Sequence, residues 1–213
     1  MPIAVPLHRL QLQPGSAVTV SNIGWQEFET LLQELPEHRS TRLAYFRGTL
    51  ELVSPLPQHE RAIVIISDVV KLLLRRAQRP WESLRSTTFK QQEIAGIEPD
   101  DCFYIANFAA VIGKERLNLM IDPPPDLAIE SDLTSKTEMS AYAVLGVPEL
   151  WIYASGRLTI NVLQGDRYVE SIHSPTFPDI AIADVVPTVI QRANEIGTSL
   201  ALLEFEDWLN QQG

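Results

Sequence analysis

The chain has 213 residues, 45% of them hydrophobic, which is enough for a substantial core in one large domain. Its 27 acidic residues outweigh 17 basic ones, and the formal net charge of −10 excludes a protein that coats nucleic acid through general positive charge. No apolar run approaches the roughly 20 residues that span a bilayer. The lone Cys102 gives neither a disulfide nor a thiolate metal site, so a cytoplasmic protein with no membrane partner is expected.

The whole chain, 1–213, reads as a single domain. Residues 1–18 or so form a loose arm, in which Pro2 and Pro6 block a helix and no signal-peptide pattern is seen. Ser21 or Asn22 caps a helix carrying Trp25, Phe28, Leu31, Leu32 and Leu35 at helical spacing, ended by Pro36. Residues 43–53 alternate as a hairpin turning at Arg47-Gly48, stopped by Ser54-Pro55. The spacing of Ile63, Ile66, Val70, Leu73 and Leu74 predicts a long amphipathic helix over 59–77.

Strands are predicted over 83–91, 102–106 and 126–131, then a helix over 135–145 that ends at Gly146. Residues 149–154 form a buried strand, 157–163 and 167–171 a second hairpin, and 182–195 and 199–211 two closing helices. This order predicts an α/β fold with a central mixed sheet flanked by helices, plus extra hairpins. The four tryptophans sit in apolar surroundings and read as core. In the last helix, Leu200, Leu203, Phe205, Trp208 and Leu209 are available to pack on the sheet or across a homodimer interface.

Chemistry concentrates in two acidic strand positions. Glu98-Pro99-Asp100-Asp101 opens one strand, and Pro125-Asp126-Leu127-Ala128-Ile129-Glu130 is another, followed by Lys136. Carboxylates on neighbouring strands can jointly hold Mg²⁺, which prefers oxygen ligands, and a nearby lysine can stabilise charge on a reacting phosphate. Taken singly, Asp100 reads rather as a turn acid after proline and Glu130 as a strand-end glutamate facing water, and it is the two together that point to a metal. Asp101 carries the register alternative, because a one-residue slip sends a side chain to the opposite face. Asp126 shares parity with Glu130, but four residues of strand separate them by about 13 Å, so it caps the strand rather than sharing an ion. Basic residues crowd the first half, with Arg39, Arg42, Arg47 and Arg61 followed by Lys71, Arg75, Arg76, Arg79 and Arg85, whereas the chain is strongly acidic from about residue 120. His8, His38 and His173 offer no convergent pattern, and there is no phosphate-cradling Gly-rich loop or nucleophile elbow.

The segments 46–55 followed by His59, Glu98-Pro99-Asp100, 125–130, Tyr142 and Gly146-Val147-Pro148-Glu149-Leu150-Trp151-Ile152-Tyr153 together resemble the Uma family of endonucleases. That family belongs to the restriction-endonuclease-like PD-(D/E)XK nucleases, and the resemblance covers roughly residues 20–210. It implies a restriction-endonuclease-like core and Mg²⁺-dependent (or Mn²⁺-dependent) hydrolysis of phosphodiester bonds in DNA. It further implies Asp100 and Glu130 as metal ligands on adjacent strands, and Glu51 as the family's first acid. His59 becomes a base or phosphate ligand, and Lys136 the charge-stabilising cation. The superfamily places lysine two residues after the second acid, where this chain has Asp132, so the lysine must arrive from the following helix, with Lys90 in reserve. Asp132 is then a further ligand or an acid favoured near a helix N-terminus. The displaced lysine and negative charge also fit a nuclease fold with an eroded site that serves as a binding or regulatory module, or as a structural homodimer.

Overall fold

The computed structural model describes residues 12–35, 41–54, 56–131 and 136–211, without the side chains of residues 57, 136 and 137. Among these residues the chain forms two sheets. The first has the order β1 (Ala17–Ser21), β3 (Thr49–Val53), β2 (Arg42–Phe46), β6 (Ala95–Ile97), β5 (Phe89–Gln91), antiparallel throughout. The second has the order β11 (Arg167–Ser171), β10 (Arg157–Gln164), β9 (Glu149–Ala154), β8 (Leu127–Ser131), β7 (Asp101–Tyr104), β4 (Glu82–Ser83). It is mixed, because β8 and β9 run parallel and the others antiparallel. A parallel pair needs a crossover, which α3 (Lys136–Leu145) supplies.

Strand alternation divides the second sheet's two faces. Phe103, Ile129 and Trp151 meet α2 (Pro57–Arg76), α4 (Ile182–Ile196) and α5 (Thr198–Gln211). Cys102, Tyr104, Ala128 and Leu150 face the other way, onto Ala141, Tyr142 and Leu145 of α3 and onto Ala44, Phe89 and Ile97 of the first sheet. Helix α3 is therefore packed between the sheets, while α1 (Trp25–Glu34) closes the first sheet's outer face through Phe28 and Leu31. Gly96 permits that closure, since a Cβ there would lie 2.6 Å from the Phe28 ring.

The central mixed sheet between α2 and α3 is as expected, and the departures are local. The predicted strand over 83–91 is two short strands in different sheets, and β1 and β6 were not foreseen. Strands of two to five residues held by distant partners carry little periodicity of their own. Helix α1 is capped by Gly24 rather than Ser21 or Asn22, because β1 runs through Ser21 and Asn22 takes a positive φ of 61°. The Gly24 N–H donates to Glu27 Oε2 at 2.7 Å, completing the helix start. Helix α5 buries Ala201, Phe205 and Leu209, while Leu200, Leu203 and Trp208 stay exposed. No helix among the described residues is long and apolar enough to cross a membrane.

The chain crosses from the first sheet to the second through Glu98-Pro99-Asp100, and it leaves the first sheet through Ser54 for α2. Both crossings lie beside the end of β8, so acids from separate stretches gather at the seam between the sheets.

Candidate functional site

The β7–β8 register pairs Asp101 with Ile129 and Cys102 with Ala128, and one step further it sets Asp100 beside Glu130. Directly opposed side chains have Cβ atoms about 5 Å apart. Both carboxylates are 8% exposed and open onto a cleft of about 380 Å³ whose walls also carry Arg42, His59, Glu98 and Glu138.

Each acid is held by donors. Asp100 Oδ2 accepts from the Ser131 N–H at 2.9 Å and from Ser131 Oγ at 2.7 Å. Glu130 Oε2 accepts from the Asp100 N–H at 3.4 Å, and Glu130 Oε1 accepts from the Tyr142 hydroxyl of α3. Asp100 Oδ1 lies 3.6 Å from Arg42 Nε, and Arg42 Nη2 lies 3.7 Å from Glu60. Arg42 Nε has no hydrogen-bond partner among the described residues, so its pull on Asp100 is charge attraction.

Burial pushes the Glu130 carboxyl well above the usual glutamate range, reinforced by the negative charges of Asp100 and Glu138. The hydrogen bonds from Tyr142 and the Asp100 amide act in the opposite direction. Burial and Glu130 likewise hold the Tyr142 hydroxyl protonated, as a steady donor. Acids gathered in this way favour either a proton or a cation.

The remaining expected residues are spread around this pair. His59 stands in the first turn of α2 and lines the cleft. Glu51 shares a sheet face with Arg42 and Val53, which line the cleft, but is not itself in the lining. It is 6% exposed, and its Oε2 has no hydrogen-bond partner among the described residues. Asp101 points to the opposite face, where Ser67 and Ser83 donate to its carboxylate at 2.5 and 2.9 Å. Asp126 accepts from the Ile105 and Asn107 amides at 2.6 and 3.2 Å and so shapes the loop after β7. Lys90 Nζ is 2.9 Å from Glu29 of α1, in a neighbouring cavity. Asp132 and the Lys136 side chain lie outside the described residues, although Lys136 opens α3.

Sequence reasoning missed Arg42 as the partner of Asp100, Glu138 as a charge on Glu130, and Glu98 as a cleft residue. Glu98 is spoken for in part: its two oxygens accept from Thr88 Oγ1 at 2.7 Å and the Leu43 N–H at 3.2 Å. Arg42 stood in the basic grouping, but nothing local ties it to an acid 58 residues away. Cys102 is no nucleophile, because burial and Asp101 keep its thiol protonated.

A model of the Uma2 family, described as "Putative restriction endonuclease", matches residues 25–195. The chain belongs to the Uma2 family. The matched Uma2 region contains Arg42, His59, Asp100, Glu130 and Glu138. A solved structure described as "a putative nuclease belonging to DUF820 from Anabaena variabilis ATCC 29413" is similar at a TM-score of 0.49 and 18% sequence identity. The match covers 77% of this chain and 97% of that one. No curated protein matches this Uma2 chain.

The oxygen-only donor set suits a hard divalent cation. Mg²⁺ typically takes one or two carboxylates and completes its shell with water and phosphate, which Asp100 and Glu130 can accommodate. Among the described residues no group of three or more His, Cys, Asp or Glu side chains is arranged to cage a metal.

Proposed function

We propose that the protein is a divalent-metal-dependent endonuclease that hydrolyses phosphodiester bonds in DNA, with Asp100 and Glu130 as the ligands for Mg²⁺ or Mn²⁺. The observation that carries this reading is the pairing of two buried, hydrogen-bonded carboxylates on adjacent strands, with Glu138 raising the charge density around them. A bound divalent ion supplies Lewis-acid charge against the phosphate and makes an attacking water more acidic.

The chain's own groups do the rest. Ser131 fixes Asp100, and Tyr142 fixes Glu130, so neither carboxylate has to reorganise when a cation arrives. Arg42 presents a planar guanidinium that stabilises negative charge on the phosphate, a role it shares with Lys136. His59 accepts the proton of the water as its oxygen bonds to phosphorus and the bond to the leaving oxygen breaks.

The test is cleavage of plasmid DNA with and without Mg²⁺ or Mn²⁺, by the wild type and by Asp100→Asn and Glu130→Gln. Metal-dependent nicking lost in both variants is the expected result. A wild type that binds no divalent ion and cuts no nucleic acid returns the protein to the non-catalytic binding or regulatory role.

A further inference from the structure

The cleft around Asp100 and Glu130 is flanked on both sides. Gln58, His59 and Ser131 also line a larger cavity of about 600 Å³, which reaches past the turn between β9 and β10 to α4. On the other side, Arg42 and Glu98 are shared with a cavity of about 540 Å³ that extends to Lys90 and Arg116. The cleft of the acids thus shares residues with two polar cavities, one with Arg61 in its wall and the other with Arg42, Lys90 and Arg116.

In a chain of net charge −10 that placement is selective. Arg61, one turn into α2, is exposed on the first flank, with Asn194 and Ser155 beside it as neutral donors. Among the described residues Arg61 makes no ion pair, whereas Lys71, Lys114, Arg157 and Arg192 are each engaged by a carboxylate. The same is true of Arg75, Arg76, Arg85 and Arg116, and of these it is Arg61 that lines this cavity. An unengaged guanidinium beside neutral hydrogen-bonding groups is what a phosphodiester backbone requires: charge for the phosphate, amide and hydroxyl for phosphate or sugar oxygens. Polar side chains outnumber apolar ones in the lining, where Ala62, Tyr153 and Ile190 supply the apolar part.

We propose that the Arg61 cavity is a phosphate-binding subsite for the strand on one side of the scissile bond. The polynucleotide then runs from Arg61, across the acids, towards Arg116, and the bond cut lies inside the chain rather than at its end. This assignment rests on the nuclease reading, and the experiment separates the two.

Binding is read by fluorescence anisotropy of a labelled single-stranded DNA oligonucleotide in EDTA, at several salt concentrations, with the full chain. Arg61→Ala is expected to weaken binding roughly fivefold, equally for different sequences, and to reduce the salt slope by about 0.7, the loss of one phosphate contact. Asn194→Asp, which places a negative charge in the same cavity, should weaken binding as well. Arg167→Ala, on the exposed edge strand β11, should bind as the wild type does.

Wild-type affinity and salt slope in Arg61→Ala, or an equal loss in Arg167→Ala, overturns the subsite. So does a wild type that binds no oligonucleotide. Cleavage is scored separately on covalently closed circular DNA with Mn²⁺. If the wild type cuts, Asp100→Asn does not, and Arg61→Ala binds normally, the subsite alone falls. If Arg61-dependent binding stands but nothing is cut with any divalent ion, the reaction falls and the subsite remains.

Discussion

Asp100 and Asp101 are consecutive, both are buried, and their surroundings are opposite. On the α2 side of the sheet, Asp101 accepts from two serine hydroxyls and the Cys102 amide, all neutral donors held in place by packing. On the α3 side, Asp100 lies beside Glu130, with Glu98 and Glu138 in the same walls and Arg42 as counter-charge. A buried acid ringed by neutral donors has its hydrogen-bonding needs met within the fold and serves as a structural pin. Buried acids crowded together leave a demand for positive charge that the fold meets only in part, and that demand marks a site.

The largest effect expected from this contrast is on catalysis. Asp100→Asn should reduce metal-dependent cleavage by about a hundredfold or more, the scale of losing one essential electrostatic group. Its thermal stability should be unchanged or raised, because one of several like charges has gone. Asp101→Asn should keep cleavage within a few-fold of wild type at a temperature where it is folded. Undiminished cleavage by the Asp100 variant, or abolished cleavage by a folded Asp101 variant, reverses the two roles.

Stability supplies the complementary loss. Asp101→Ala strips the partners from Ser67 and Ser83 and should cost about 2 kcal/mol, read as a lower urea midpoint with unchanged slope. A midpoint within error of wild type would show that this network pins nothing.

How much of this contrast the sequence carried follows from its physics. Helix α2, strand β8, helix α3 and the β10–β11 hairpin were legible because periodicity and turn residues are local signals. Asp100 and Glu130 were legible as acids at strand positions, but the choice between Asp100 and Asp101 depended on a register that one residue reverses. Arg42 and Glu98 were out of reach as partners, since they meet the acids only through the first sheet closing over α3, and Glu138 meets Glu130 only through the way α3 folds back on β8. The pairing of β4 with β7, and of β6 with β2 and β5, is likewise a product of tertiary contacts, and so one expected strand became two.

A smaller effect sharpens the α3 side. Tyr142→Phe keeps the ring that packs in the core but removes the donor that fixes Glu130. Outer-shell donors of this kind are worth about tenfold or more in metal affinity, so Mg²⁺ or Mn²⁺ binding by calorimetry should weaken by roughly that factor. Equal affinity in the variant would make the hydroxyl a core hydrogen bond with no bearing on the acids.

The smallest effect is a slope. Burial, Asp100 and Glu138 raise the Glu130 pKa in the folded protein above its ordinary value. A carboxyl raised in this way holds its proton more tightly folded than unfolded. Its contribution to stability is therefore full below the unfolded pKa and is lost as pH rises through the folded one. The metal-free protein should lose stability from the ordinary glutamate range upward, by no more than about 1.4 kcal/mol per pH unit, the limit for one proton. Glu130→Gln, which cannot ionise, should remove that slope. Saturating Mg²⁺ should flatten it as well, because a cation favours the charged carboxylate, and for the same reason metal affinity must rise with pH. Urea unfolding across pH, in EDTA and in Mg²⁺, reads both. Metal-free stability that stays flat or climbs over that window, with Glu130→Gln behaving identically, would remove the distinction between the acids on the two faces.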